Sequence, residues 1–241
     1  MRYAIFSDIH ANLQAVESVL AELKKEKIDG YFCAGDVVGY GANPHECIGI
    51  VRDLNTVCVA GNHDWAVVDK VDIAYFNPTA QEAILWTRAK ALREDMAFLD
   101  KLPLIYKNEN FIMVHGTLDE PSYFHYLVDI RQAATMFRYM DRNVCFVGHS
   151  HVTDIFVLKD GKVARGLSAD ISVEKECKYI INVGSVGQPR DGNPKSSFCI
   201  YDTQENTISI RRVDYNITEA QKRILESGLS PFLASRLNLG R

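Results

Sequence analysis

The opening stretch of the chain alternates short apolar runs, each ending in polar residues, with helix-like segments. Residues 3–6 form the first run, and Ser7-Asp8-Ile9-His10 follows at once. Leu13, Val16, Val19, Leu20 and Leu23 then recur at helical spacing. Residues 30–34 form the second run, and Pro44 opens a second helix, since proline is tolerated in a first turn. Residues 56–60 form the third run. A β-α-β-α-β series of this kind predicts parallel strands with right-handed crossovers.

Further along, 64–101 reads as mostly helical, with strong helix formers at 80–92 and a stop at Leu102-Pro103. Strands are expected at 111–114 and 144–147, with a helix at 130–140 between them. Beyond His151 the character changes. Residues 155–158 and 162–165 flank Asp160-Gly161, a type I′ hairpin signal. Strands follow at 180–183, 198–201 and 207–213, then a terminal helix at 218–226 with Thr218 as its N-cap. No internal repeat, low-complexity segment or linker interrupts the chain. With 241 residues, the expectation is one α/β domain over 1–241, richer in antiparallel strand in its second half.

Metal-seeking side chains fall just past the predicted strands. Asp8 and His10 follow the first strand, Asp36 the second, Asn62 and His63 the third. His115 follows 111–114, and His149 and His151 follow 144–147. Ligands of open α/β sheets bind outside the carboxyl ends of strands. In Asp-x-His and His-x-His, residues i and i+2 point the same way from an extended backbone, so both reach one cavity. Gly35, Gly61, Gly116 and Gly148 sit beside these residues, where close backbone approach is needed. A lone histidine after a strand is usually just a satisfied polar residue. Five of seven histidines in this position, with two aspartates and an asparagine, argue for a shared site. Carboxylate, imidazole and amide oxygen suit divalent ions of intermediate softness: Mn, Fe, Co, Ni or Zn. Cysteine is missing from the set, which argues against a structural zinc site.

As a series, SDIH, GD, GNHD, a lone HG and GHSH resemble the calcineurin-like metallophosphoesterase superfamily, in the family's order from Asp8 to His151. Residues 182–194 (NVGSVGQPRDGNP) also look like the small bacterial and archaeal phosphodiesterase-like branch. The resemblance implies a four-layer α/β/β/α sandwich, two mixed β-sheets face to face with helices outside. It implies two divalent metal ions: Asp8, His10 and His151 on the first, Asn62, His115 and His149 on the second, Asp36 bridging. It further implies attack by a metal-bridging hydroxide on a phosphodiester or nucleotide-like phosphoester. His63 would stand near the leaving oxygen as general acid. Asp64 would either orient His63 or cap the next helix. Protein Ser/Thr phosphatases and symmetrical dinucleoside tetraphosphatases of the superfamily carry GDxxDRG, whereas here the segment is Gly35-Asp36-Val37-Val38-Gly39-Tyr40-Gly41. The missing arginine weakens a protein-phosphatase reading.

Three further residues are candidates for substrate contact. Arg190, in a loop rich in turn formers, would bind a phosphate oxygen bidentately, or else pair with Asp191 at the surface. Tyr40 would stack on a base or bond a phosphate, or simply pack within its loop. His125 sits in an aromatic loop, Ser122-Tyr123-Phe124-His125-Tyr126, with a substrate-facing role among its options. Asn12 is expected to cap the first helix, and His45 to be exposed.

Net charge is −4, so a broad nucleic-acid footprint is not expected and a nuclease reading has little support. No apolar stretch is long enough to span a membrane. The start lacks the basic and apolar regions of a signal peptide. The six cysteines form no CxxC pair and read as reduced, buried thiols of a cytoplasmic protein. A phosphomonoesterase, an asymmetric dinucleoside polyphosphate hydrolase and an inactive protein-binding scaffold remain as alternatives. Complete donor positions argue against the last. Oligomeric state and the physiological substrate are not readable at this stage.

Overall fold

The computed structural model describes residues 1–166 and 168–241. Its twelve strands are β1 (Arg2–Phe6), β2 (Gly30–Cys33), β3 (Val57–Cys58), β4 (Ile105–Lys107), β5 (Ile112–Val114), β6 (Val144–Val147), β7 (Thr153–Lys159), β8 (Lys162–Arg165), β9 (Asp170–Ser172), β10 (Lys178–Val183), β11 (Ser196–Asp202) and β12 (Thr207–Val213). The helices are α1 (Leu13–Leu23), α2 (Pro44–Asp53), α3 (Asn62–Val67), α4 (Pro78–Lys90), α5 (Arg93–Asp100), α6 (Ile130–Met136), α7 (Ile217–Glu226) and α8 (Pro231–Ser235). Two six-stranded mixed sheets result, ordered β3-β2-β1-β11-β12-β9 and β4-β5-β6-β10-β7-β8. In the first, β1, β2 and β3 run parallel. In the second, β5, β6 and β10 do.

Side-chain alternation explains the layering. Tyr3 and Ile5 of β1 enter a core that also holds Phe111, Met113, Phe146, Tyr179, Ile181, Cys199 and Tyr201, drawn from both sheets. Ala4 and Phe6 face the other way, into a second core with residues of α1, α2, α4, α7 and α8. Ile112, Val114, Cys145 and Ile180 form a third with Ala133 and Met136 of α6. Period-two burial on both faces of these strands is what a sheet sandwiched between layers requires. The layers are therefore helix, sheet, sheet, helix, as the resemblance implied. Each fully buried Phe in the central core contributes about 1.5–3 kcal/mol of hydrophobic stabilisation.

Several expectations need adjustment. The stretch 64–101 is not one helical run: α3 ends at Val67, and a 3₁₀ turn at Ile73–Tyr75 precedes α4. Asn77 caps α4, accepting from Ala80 N at 3.0 Å, with Pro78 in the first turn. The helix expected over 130–140 tightens to a 3₁₀ turn at Phe137–Tyr139. Asn216, not Thr218, caps α7, accepting from Glu219 N at 3.0 Å. The hairpin at Asp160-Gly161 has both residues at positive φ, 49° and 73°, as a type I′ turn demands. No helix among the described residues is long and apolar enough to cross a membrane.

Candidate metal centre

The carboxyl ends of the parallel strands in both sheets meet at one edge, where backbone hydrogen bonds join the loops that leave them. Asp8 N donates to Gly35 O at 2.9 Å and His10 N to Asp36 O at 3.0 Å, which ties the β1 loop to the β2 loop. Gly148 N donates to His115 O at 3.0 Å, and Val186 N to Ser7 O at 2.9 Å, which carries the lacing across to the second sheet. Asp8, His10, Asp36, His149 and His151 all hold positive φ, between 49° and 67°. Non-glycine residues seldom adopt that conformation, and such strain gathers where surrounding structure over-determines a functional geometry. Gly61 and Gly148 are sterically obligatory: a Cβ on Gly61 would overlap the Asp36 carboxylate, and one on Gly148 would overlap Ser7 Oγ and the Asp8 carboxylate.

Three imidazoles are turned inward by carbonyl groups. His10 Nδ1 lies 3.0 Å from Val38 O, His115 Nδ1 2.7 Å from Ala34 O, and His151 Nδ1 2.6 Å from Gln188 O. A carbonyl only accepts, so each Nδ1 carries a proton and each ring turns its Nε2 to the interior. His10 Nε2 and His151 Nε2 then face one another at 3.0 Å. His115 Nε2 has Asn62 Oδ1 at 3.2 Å, His149 Nδ1 at 3.1 Å and Asp36 Oδ2 at 3.3 Å. Asp8 Oδ1 is buried without a hydrogen-bond partner, 3.2 Å from His151 Nε2. Lone pairs converging in a dry site repel unless a cation lies among them. The residues thus form two groups that could hold divalent ions, Asp8/His10/His151 and Asp36/His115/His149, with a third, His10/Asp36/His63, overlapping both. Asn62 adds its oxygen to the second, and Asp36 Oδ2 also lies 3.6 Å from His10 Nε2 of the first.

Proton affinities register the same crowding. Burial works against ionising Asp8 and Asp36, yet the surrounding histidines hold both carboxyls well below the usual range. Burial likewise opposes a charge on His115, but the Asp36 carboxylate outweighs it and raises the ring to about 10. Burial pushes His149 and His151 each down to about 3, and His63 well below its ordinary value.

His63 lies beside the donor groups. Its ring packs between Tyr40 at 4.4 Å, His10 at 5.0 Å and Phe76 at 5.2 Å, and its Nδ1 is buried without a partner. The Asp64 carboxylate bonds to backbone groups and not to that ring. One oxygen takes N–H groups from Asp36 (2.8 Å) and Gly61 (3.0 Å), the other from Val37 (2.9 Å) and Val38 (3.2 Å). Of the two roles open to Asp64, the geometry therefore matches the helix cap, and adds a second: it clamps the loop that carries Asp36. Burial, then repulsion from Asp36, pushes Asp64 up to about 7.

A cavity of about 520 Å³ opens over the donors, lined by Asp36, Asn62, His63, His149 and His151 on its floor. Arg190 and Tyr40 also line it, with the guanidinium 5.6 Å from the ring centroid. Gln188 Oε1 holds Arg190 Nη2 at 2.7 Å, whereas Asp191 pairs with Arg212 instead. His125 does not line the cavity. It is exposed, 3.7 Å from Glu120, whereas Ser122, Tyr123, Phe124 and Tyr126 of that loop line the cavity, Tyr126 stacked on His149 at 3.9 Å and 19°. Tyr75, Phe76 and Asn77, hidden in the expected helical run, line the cavity too. Asn12 caps α1 as expected, accepting from Ala15 N at 3.2 Å. A further group, His45/Glu94/Asp95, lies near the surface. There Asp95 caps α5, accepting from Leu92 N at 2.9 Å, and His45 Nδ1 lies 3.1 Å from it.

Known proteins resemble this chain in sequence and fold. The model for the calcineurin-like phosphoesterase superfamily domain matches residues 1–206. The protein MJ0912 of Methanocaldococcus jannaschii, whose function is uncharacterised, is 42% identical over 248 residues, covering 99% of this chain and 98% of that protein. A crystal structure of a metallophosphoesterase from Sphaerobacter thermophilus is 36% identical and superposes with a TM-score of 0.87, over 100% of this chain and 99% of that one. The hypothetical protein PH1004 from Pyrococcus horikoshii OT3 has the same fold, with a TM-score of 0.81, 19% identity and coverage of 100% and 98%.

Proposed function

The chain belongs to the calcineurin-like phosphoesterase superfamily, and from that premise we propose that it is a binuclear metal-dependent hydrolase of small phosphodiesters or nucleotide-like phosphoesters. The observation that carries this is the convergence of buried imidazole nitrogens and carboxylate oxygens on one point, as in the 3.0 Å approach of His10 Nε2 to His151 Nε2. Asp8, His10 and His151 would hold one ion, and Asn62, His115 and His149 the other. Asp36, within reach of both groups, would be shared. The mixed nitrogen and oxygen donors suit Mn, Fe, Co, Ni or Zn. Bound there, two such ions supply Lewis-acid activation of water and neutralise charge on the phosphate oxygens.

The chain's own residues do the rest. Carbonyl groups of Ala34, Val38 and Gln188 fix the tautomer and aim of three rings. His63 stands at the cavity floor, and the negative charge of a bound phosphate beside it would offset burial and favour the protonated ring that gives its proton to the leaving oxygen. Arg190, braced by Gln188, takes a phosphate oxygen and orients the ester. Tyr126, stacked on His149, limits ring motion and water access on that side. Six buried, unpaired cysteines are consistent with a reducing cytoplasm.

The test is to strip the protein of metal, restore Mn, Co, Ni, Zn or Mg singly, and assay a chromogenic phosphodiester beside its monoester. Metal-restored diester cleavage, falling about 100-fold or more in His63→Ala, is expected. Cleavage of the monoester alone would move the assignment to a phosphomonoesterase, and no turnover with any metal would refute the hydrolase reading.

A further inference from the structure

The cavity extends beyond the metal donors along two segments that hold none of them, residues 70–77 and 122–126. Tyr75 is 88% exposed and Tyr123 70% exposed, and both line the cavity. Tyr123 has the His125 ring parallel to it at 5.8 Å, and both tyrosines are more open to water than packed large rings ordinarily are. They are not isolated, because aromatic faces lead inward from them to the reacting centre. Phe76, next to Tyr75, meets His63 edge-on at 5.2 Å, and Tyr126 lies on His149. Polar groups accompany the rings. Asn77 gives its amide oxygen to Ala80 N, which leaves the amide N–H donors for the cavity, and Asp72 and Ser122 line it as well. At the inner end stands Arg190, a partner for phosphate.

We propose that this wall is a nucleobase subsite: the base of a nucleoside phosphate stacks on Tyr75 and Tyr123 while its phosphate reaches Arg190 and the metal donors. The inference rests on the phosphoesterase reading of that site and names its substrate class. A cavity of about 520 Å³ is the size that encloses a ligand of nucleotide dimensions. Tyrosine faces accept any base through stacking, and the Asn77 and Asp72 side chains offer a donor and an acceptor to a base edge. A phosphotyrosyl ring would stack but has no hydrogen-bonding edge for those groups, so a nucleotide fits the wall better than a phosphopeptide.

The experiment is calorimetric titration of the Mn-loaded protein with non-hydrolysable phosphonate analogues of AMP, ribose 5-phosphate and phosphotyrosine. The AMP analogue should bind about 10-fold or more tightly than the ribose analogue, the scale of one stacked base. In Tyr75→Leu/Tyr123→Leu that preference should shrink to about twofold, and in Tyr139→Leu, an exposed tyrosine outside the cavity, it should persist. Equal binding of the AMP and ribose analogues, survival of the preference in the double variant, or phosphotyrosine binding as tightly as AMP would each overturn the proposal. Binding is read separately from turnover. Diester hydrolysis without base preference removes the subsite alone, and base preference without any hydrolysis removes the hydrolase reading alone.

Discussion

The floor and the wall of the cavity are built in opposite ways. At and beneath the floor, Asp8, His10, Asp36, His115, His149 and His151 are at most 6% exposed, and backbone hydrogen bonds lace together the loops that carry them. On the wall, Tyr75, Tyr123 and Tyr126 are 50% exposed or more and stand on short 3₁₀ turns and loops. Donors that must hold ions in fixed geometry sit on strand ends, where two packed sheets define position. Groups that select a substrate sit on connections that can vary without disturbing those strands. Chemistry and selectivity are therefore separable in this molecule, and substitutions in the two regions should separate them too.

The largest effect should come from the floor. Asp36→Asn removes the carboxylate that lies 3.3 Å from His115 in one donor group and 3.6 Å from His10 in the other, and kcat should fall by about 10³-fold or more. Steady-state kinetics with metal in excess would read it, and a loss below tenfold would break the floor account. Asp64→Asn comes next. An amide nitrogen would confront two of the four N–H groups that the carboxylate now accepts, costing about 1–3 kcal/mol and loosening the loop that carries Asp36. Metal affinity should drop about 10–100-fold by competitive chelation, with the melting temperature lowered. Wild-type metal affinity in this variant would show that the clamp does not set the site.

A smaller effect sharpens the contrast between Arg190 and His125. Arg190→Lys should raise KM about 10-fold with little change in kcat, because a point charge replaces a planar fork. His125→Ala should leave both within about twofold, since the ring lies outside the cavity. The smallest effect lies away from both regions. The hydrogen bond that His45 donates to the Asp95 carboxylate outweighs the opposing effect of burial and raises His45 above its ordinary value. A raised histidine contributes stability that is complete below its unfolded value, near 6.5, and is lost as pH rises through the folded value. The wild-type melting temperature should therefore decline more steeply between pH 6 and 8.5 than that of His45→Asn. Parallel curves would remove the interaction from the account.

The floor was legible in the sequence because its signals are local. An apolar run, an i, i+2 pair and an adjacent glycine announce a strand end that presents side chains together, as at Asp8/His10 and His149/His151. The wall was not. Residues 70–77 were absorbed into an expected helical run, although Asn77-Pro78 already marked a chain entering a helix from outside. In the aromatic loop, alternation fails as a guide because Glu120 and Phe124 turn through positive φ, 50° and 51°, so nothing local says that Tyr126 rather than His125 faces the cavity. Two strands escaped for another reason. β4 and β9 are three-residue strands, mostly exposed and without an apolar pattern, and only their neighbours define them.

The central claim is that the floor holds two ions with Asp36 between them. Crystals grown with manganese, measured on either side of the manganese absorption edge, test it most directly. The account predicts two anomalous peaks about 3.5–4 Å apart, flanking the Asp36 carboxylate. A single peak, or density only at His45 and Asp95, would contradict it.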